Sequence, residues 1–347
     1  MVALSGGRRS EALPDWRARP FRILVIRDDG IGDLIITMET LRAIKDASPT
    51  ITLDLLASPQ NAAFARTLPF IDDVMVHRRG PAGEVWRTMR ELRRRRHDVV
   101  IDGRATIRTV KAHTAALMLA TGARWRVGVG QRRNDWVYTV RADPAEASHI
   151  VEVIASLAQP FGVSLRDRDW RAKLTLAQEE RAAAERTWMG IGASRPRVLI
   201  NISVGNSERF WNHARYAPVL ARLRERLPSA TLLITAMPDE QRVAEGLARP
   251  VRGAAVPLTF SEVMAAVATA DLVVTPDTAI THVASGFQTP TLALMRKNTG
   301  AWAPYRTPGK VAYGDFGKRL EPGLPESRVV AALDALLDEI GPTKGWL

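Results

Sequence analysis

Residues 21–33 read Phe21-Arg22-Ile23-Leu24-Val25-Ile26-Arg27-Asp28-Asp29-Gly30-Ile31-Gly32-Asp33. The unbroken apolar run Ile23–Ile26 is that of a strand buried on both faces of a parallel sheet. Behind it Leu34, Ile35, Met38, Leu41, Ala43 and Ile44 recur at helical spacing as far as Lys45. Strand, glycine-bearing turn, helix is how an α/β domain opens.

The alternation continues on either side of a polar stretch, 167–173. Before it, strands are expected at 51–57, 73–76, 99–101 and 126–128, with helices at 60–66, 84–95, 106–121 and 149–161. After it, strands are expected at 197–202, 230–235, 272–275 and 291–295, with helices at 178–189, 213–226, 239–248, 261–269, 279–287 and 326–340. Two such blocks predict two doubly wound, Rossmann-like domains facing across a central cleft. The boundaries read as a disordered arm over 1–20, an N-terminal domain over 21–165 and a linker over 166–176. A C-terminal domain over 177–325 and a closing helix over 326–347 complete the chain.

The 347 residues suit two domains of ordinary size. Hydrophobic residues make up 46% and charged ones 25%, which excludes a disordered or fibrous chain. With no cysteine, disulfides, thiolate metal sites and thiol nucleophiles are excluded. No signal peptide is recognisable and no apolar run is long enough to span a bilayer. The expectation is a soluble cytoplasmic protein, with peripheral membrane association left open. The formal charge is +12, and the stretch Arg78–Arg141 alone holds sixteen Lys or Arg against five Asp or Glu. Such an excess points to an anionic partner.

Three loops occupy positions beyond strand ends, where parallel sheets bind ligands. The first, 28–33, is no dinucleotide fingerprint: Gly30 and Gly32 are followed by Ile35 where a third glycine belongs. Asp33 there is either a helix N-cap or a base. In the second, 203–211, Ser207 and Arg209 suit phosphate oxygens, or the loop is an ordinary polar one anchored by Trp211. The third, Thr275-Pro276-Asp277-Thr278-Ala279, opens a helix whose N–H groups suit a diphosphate. Asp277 either accepts from sugar hydroxyls or caps the helix, and His282 is read either as a ligand-binding or as a packed histidine. The six histidines, without cysteines or paired acids, give no metal motif.

These stretches together resemble glycosyltransferase family 9, the ADP-heptose–lipopolysaccharide heptosyltransferases. The resemblance rests on 23–33 with Thr37 and 41–44, on 54–56 and 69–74, and on 201–211. Its most specific part is Asp277-Thr278-x-x-x-His282-x-Ala284 with Thr289-Pro290-Thr291. It implies a GT-B fold and an inverting, metal-independent transfer from an ADP-sugar, without cofactor, to an anionic glycolipid or lipopolysaccharide core. By position it implies Asp33 as general base and Ser207, Arg209, Asp277, Thr278, Ala279 and His282 at the donor's phosphates and sugar. Met237, Asp239 and Glu240 fall at the nucleotide. Arg93, Arg94, Arg95, Arg96, Arg132 and Arg133 are expected to hold the acceptor, or else to form a solvated helix end, beside the inner face of the inner membrane. The chain departs from the family at Ala279, where glycine is usual, and at Arg209, where lysine is usual. It departs again at 295–300, which is more basic. An alanine at 279 would be strained if its φ were positive. A non-catalytic nucleotide-sugar-binding relative is one alternative. A transferase with another nucleotide sugar or a different acceptor is another. Nucleic-acid binding is disfavoured, because no recognition motif accompanies the charge.

Overall fold

The computed structural model describes residues 12–105, 110–129, 136–144, 147–166 and 168–346. The chain divides between Trp170 and Arg171 into two compact units.

The N-terminal unit contains β1 (Phe21–Arg27), α1 (Ile31–Asp46), β2 (Ile51–Ala57), α2 (Ala62–Ala65), β3 (Asp73–Val76), α3 (Ala82–Arg95), β4 (Val99–Asp102), α4 (Ala112–Thr121), β5 (Trp125–Val129), β6 (Val140–Ala142) and α5 (Ile150–Ala155). Its strands pair in parallel in the order β3-β2-β1-β4-β5-β6. The register sets Ile23 beside Val99 and Ile26 beside Asp102.

The C-terminal unit contains α6 (Gln178–Ile191), β7 (Arg197–Asn201), α7 (Tyr216–Arg226), β8 (Thr231–Thr235), α8 (Gln241–Ala248), β9 (Ala254–Ala255), α9 (Phe260–Thr269), β10 (Leu272–Pro276), α10 (Ala279–Phe287), β11 (Thr291–Arg296), β12 (Gly309–Gly314) and α11 (Glu326–Lys344). The order β9-β8-β7-β10-β11-β12, again parallel, repeats that of the first sheet. Each unit is thus a Rossmann-like sheet. The strand order reverses between β1 and β4 in one and between β7 and β10 in the other. Such reversals open the crevices in which open α/β sheets bind ligands.

The strands form where the sequence is apolar on both faces: Ile23, Leu24, Val25 and Ile26 are fully buried, as are Leu272, Val273 and Val274. The helix starts follow capping chemistry. Thr259 and Glu262 close a capping box on α9, and the Thr278 hydroxyl accepts from the Ile280 N–H on α10.

Several boundaries differ from those expected. The arm is not disordered up to residue 20: Trp16 is buried edge-on against Phe161, with ring centroids 5.9 Å apart, and its carbonyl accepts from Thr50 Oγ1. A bulky apolar ring repays the cost of ordering that segment. Trp170, in the expected linker, is buried, and its indole N–H donates to Leu165 O at 2.9 Å. The expected separate closing helix, α11, buries Val329, Leu333 and Leu336 in the core of the C-terminal unit. The helix expected at 149–161 tightens to a 3-10 turn from Ser156, before Pro160.

Candidate active site

At the β1/β4 switch point the last residue of β1, Arg27, is almost wholly buried between two carboxylates. Its Nη1 lies 3.3 Å from Asp29 Oδ2 and its Nη2 3.5 Å from Asp33 Oδ1. Nε and Nη2 also donate to the Asp33 carbonyl, at 2.9 and 2.7 Å. The loop is braced from β2's side. Asn61 Nδ2 donates to the carbonyls of Arg27 and Asp29, and Ser58 Oγ donates to that of Asp29. The N-cap of α1 is Gly30, so Asp33 stands at the third helical position and makes no cap bond. That removes the capping reading. It leaves a carboxylate about a third exposed, in the first turn of a helix whose dipole favours negative charge there. Burial pushes the Asp29 carboxyl up to about 6 against the pull of Arg27, with repulsion from Asp33 adding to the rise. Asp29 Oδ1 is buried without a hydrogen-bond partner.

Beside this pair lies a constellation that the sequence did not reveal. The buried Asp28 carboxylate contacts Arg104, accepts from His113 Nε2 at 2.9 Å and meets Arg79 Nη2 at 3.4 Å. Burial raises its pKa, but Arg104 and His113 outweigh burial and hold it below the usual carboxylate range. The His77 and His113 rings are stacked, with centroids 5.9 Å apart, and burial pushes the His77 pKa down. Ligand atoms of Asp28, His77 and His113 all lie within 4.8 Å of one another. Two guanidinium groups already occupy that carboxylate, so a divalent cation would have to enter a surrounding that is cationic. The set suits an anion better. Below it, Tyr138 donates to the buried Asp102 at 2.6 Å and the Arg104 N–H to its other oxygen. These residues come from five separate segments, and only the positions of some of them past strand ends hinted at the grouping.

The expected acceptor arginines are not placed with Asp33. Arg93, Arg94, Arg95 and Arg96 end α3, and a crossover helix that leads into β4 finishes at the N-terminal edge of the sheet. Arg22, opening β1, donates to the Arg95 carbonyl there. Arg95 contacts Asp73 and, at 2.9 Å, Glu91, while Arg94 is held by Glu91. Asp33 lies at the opposite edge. Arg132 and Arg133 lie outside the described residues.

In the C-terminal unit the β7/β10 switch point gathers most of the expected donor residues. Arg209 Nη1 donates to the Asp277 carbonyl at 3.1 Å, and its Nε lies 3.4 Å from Asp277 Oδ2. Asn201, at the end of β7, donates to Thr275 Oγ1 and Thr278 Oγ1 and ties the two strand ends together. Ala279 is the first residue of α10 and carries no positive φ, so the strain expected for a non-glycine residue does not arise. Its N–H has no acceptor within the helix, as at any helix start. Ser207 is exposed, whereas His282 is 6% exposed on the second turn of α10, within the packed interior. Glu240 accepts from Ser203 Oγ and pairs with His213 Nε2 at 3.1 Å; Ser203 Oγ in turn accepts from the Met237 N–H. Asp239 is exposed, and Met237 presents an apolar side chain to solvent. Sequence reading missed Asn201, Ser203 and His213. In the basic 295–300 segment Arg296 is already paired with Glu208, at 2.8 Å.

The family model of glycosyltransferase family 9 (heptosyltransferase) matches residues 85–317. The chain belongs to glycosyltransferase family 9. Lipopolysaccharide core heptosyltransferase OpsX of Haemophilus influenzae is 20% identical over 88% of this chain and 90% of its own length. Lipopolysaccharide heptosyltransferase 3 of Escherichia coli is 21% identical over 88% of this chain and 96% of its own. The solved structure of E. coli ADP-heptose lps heptosyltransferase II superposes with a TM-score of 0.69 at 18% identity, covering 92% of this chain and all of that one. This family 9 member is accordingly a glycosyltransferase with the two Rossmann-like domains of the GT-B class. No helix among its described residues is long and apolar enough to cross a membrane.

Proposed function

We propose that this enzyme moves a heptose from ADP-heptose to an anionic lipopolysaccharide-core acceptor in the cytoplasm, with inversion and without a metal or other cofactor. The observation that carries the reading is the chemistry at the switch point of each unit. One presents Asp33, a carboxylate with no capping role, and the other presents Arg209, Asp277 and the N-terminus of α10. An acceptor hydroxyl oxygen attacks the anomeric carbon as its bond to the ADP oxygen breaks. The hydroxyl proton passes to Asp33. The diphosphate leaves carrying the bond's electron pair, stabilised by Arg209, Ser207 and the N–H groups of Thr278 and Ala279. Asp277 orients the sugar. Met237, Asp239 and Glu240 receive the nucleoside, the thioether against the base and a carboxylate on the ribose. Arg79 and His113, partly exposed beside Asp28, favour an acceptor that carries phosphate or carboxylate groups. The names of the relatives support this donor and acceptor. The helical backbone at Ala279 removes one of the two departures, the other being 295–300, that favour reading the chain as a silent relative.

A thermal-shift panel of ADP, UDP, GDP and their sugars tests the donor. At 100 times the dissociation constant ADP adds about 2.7 kcal/mol of stability, a plain rise in Tm. A shift with UDP or GDP and none with ADP would sink the ADP-heptose assignment.

A further inference from the structure

At the C-terminal edge of the second sheet the loops after β7 and β8 meet at one side chain, Glu240. Ser203 Oγ donates to its Oε2, and His213 Nε2 lies 3.1 Å from its Oε1. An ionised carboxylate only accepts, so Nε2 is a protonated ring nitrogen. The Phe210 ring stands edge-on to the imidazole, with centroids 5.1 Å apart, and fixes its plane. Nε2 is buried and lacks a well-aligned hydrogen bond, so this is a contact that a bound ligand can draw into line. Both carboxylate oxygens are approached from the protein side, and each keeps a lone pair for a further donor. His213 and Glu240 are only half-buried, which leaves that donor a way in.

We propose that His213 is a positioning residue of the donor site, holding the Glu240 carboxylate ready for the two ribose hydroxyls of a nucleoside diphosphate. This rests on the reading of residues 237–240 as the nucleotide-binding loop. Neither loop needs the His213–Glu240 pair for its shape. The Asn212 N–H donates to Glu321 Oε1 at 2.9 Å, and the Asn212 side chain accepts from the Ala214 N–H. On the other loop the Met237 N–H donates to Ser203 Oγ, and Gln241 Nε2 donates to the Ala255 carbonyl at 3.1 Å. The surroundings of Glu240 suit a nucleoside. Met237, three residues before it, and Val243, three after it on α8, are both exposed apolar side chains. Apolar flanks around one placed polar group are what a base with its ribose requires. Glutamate has three rotatable bonds to immobilise, and setting them before the ligand arrives removes that cost from binding.

The test is calorimetry of the full chain with ADP and with 2′,3′-dideoxy-ADP. Two variants accompany it: His213→Phe, which keeps a ring against Phe210 but removes the nitrogen, and His213→Gln, whose amide nitrogen stands in for Nε2. The parent protein should prefer ADP by about tenfold to a hundredfold, the worth of hydrogen bonds to a charged group. His213→Phe should lower that preference about tenfold by weakening ADP alone, and His213→Gln should restore most of it. In a Glu240→Gln background His213→Phe should change nothing further, since the histidine acts through that carboxylate. Equal weakening of both nucleotides by His213→Phe, or a full additional loss in the Glu240→Gln background, would overturn the proposal and leave the ADP assignment standing. If UDP or GDP binds in place of ADP, the ADP assignment falls alone. The ribose is common to all three, and the same comparison with the dideoxy form of that nucleotide then decides the role of His213. A protein that binds none of the three overturns both readings.

Discussion

Replacing Asp29 by asparagine should stabilise the protein, and only above acid pH. Burial lifts this carboxyl from the ordinary 3.8 to about 6, so the folded chain binds the proton more tightly than the unfolded chain does. The stabilisation that comes from that proton is complete below about pH 4 and is lost as pH rises through 6. At pH 7.5 the fold therefore holds an ionised group at a cost, and asparagine, nearly isosteric and always neutral, removes it. The distance from 3.8 to about 6 corresponds to at most about 3 kcal/mol. The attraction of Arg27 is already contained in that balance, since it pulls the carboxyl down. The side chain is 25% exposed, and screening by water brings the expected gain to about 1–2 kcal/mol. In a chain with units of this size that is a rise in Tm of roughly 2–8 °C at pH 7.5. Thermal unfolding of both proteins from pH 4 to 7.5 reads it directly. A lower Tm for Asp29→Asn at pH 7.5, or an equal gain at pH 4, would refute the reasoning. A charge retained at such a cost beside Asp33 is the kind of local compromise found at functional sites.

Two further outcomes are expected. Arg209→Ala removes the guanidinium from Asp277 and from the donor diphosphate, and calorimetry should show ADP binding at least tenfold weaker, about 1.4 kcal/mol, with Arg209→Lys in between. Unchanged ADP affinity would dissociate Arg209 from the donor. Tyr138→Phe deprives the buried Asp102 of its 2.6 Å donor, and urea unfolding should show a loss of about 1–3 kcal/mol with an unchanged m value.

Much of the architecture is written locally. The runs 23–26 and 272–274 are apolar without interruption because both sheet faces are covered, and each passes directly into a helix start. The three strands that sequence reading did not find, β6, β9 and β12, are short or glycine-bearing, and all three stand at sheet edges where little apolar patterning is needed. The residues expected at the donor fall together because Asp277-Thr278 and Ser207–Arg209 follow strands of the same switch point. Arg93–Arg96 were misplaced for a geometric reason: a crossover helix starts at the C-terminal edge of its sheet and ends at the other. The grouping of Asp28 with His77, Arg104 and His113 joins residues up to 85 positions apart, which only the sheet order brings together.

Asp33 is proposed to take the proton of the acceptor hydroxyl. The measurement is turnover of ADP-heptose with a lipopolysaccharide-core acceptor by Asp33→Asn, alongside its ADP affinity. Loss of the base should lower kcat by about 10²–10⁴ while ADP binds as before. A kcat within a few-fold of the parent enzyme would contradict the account.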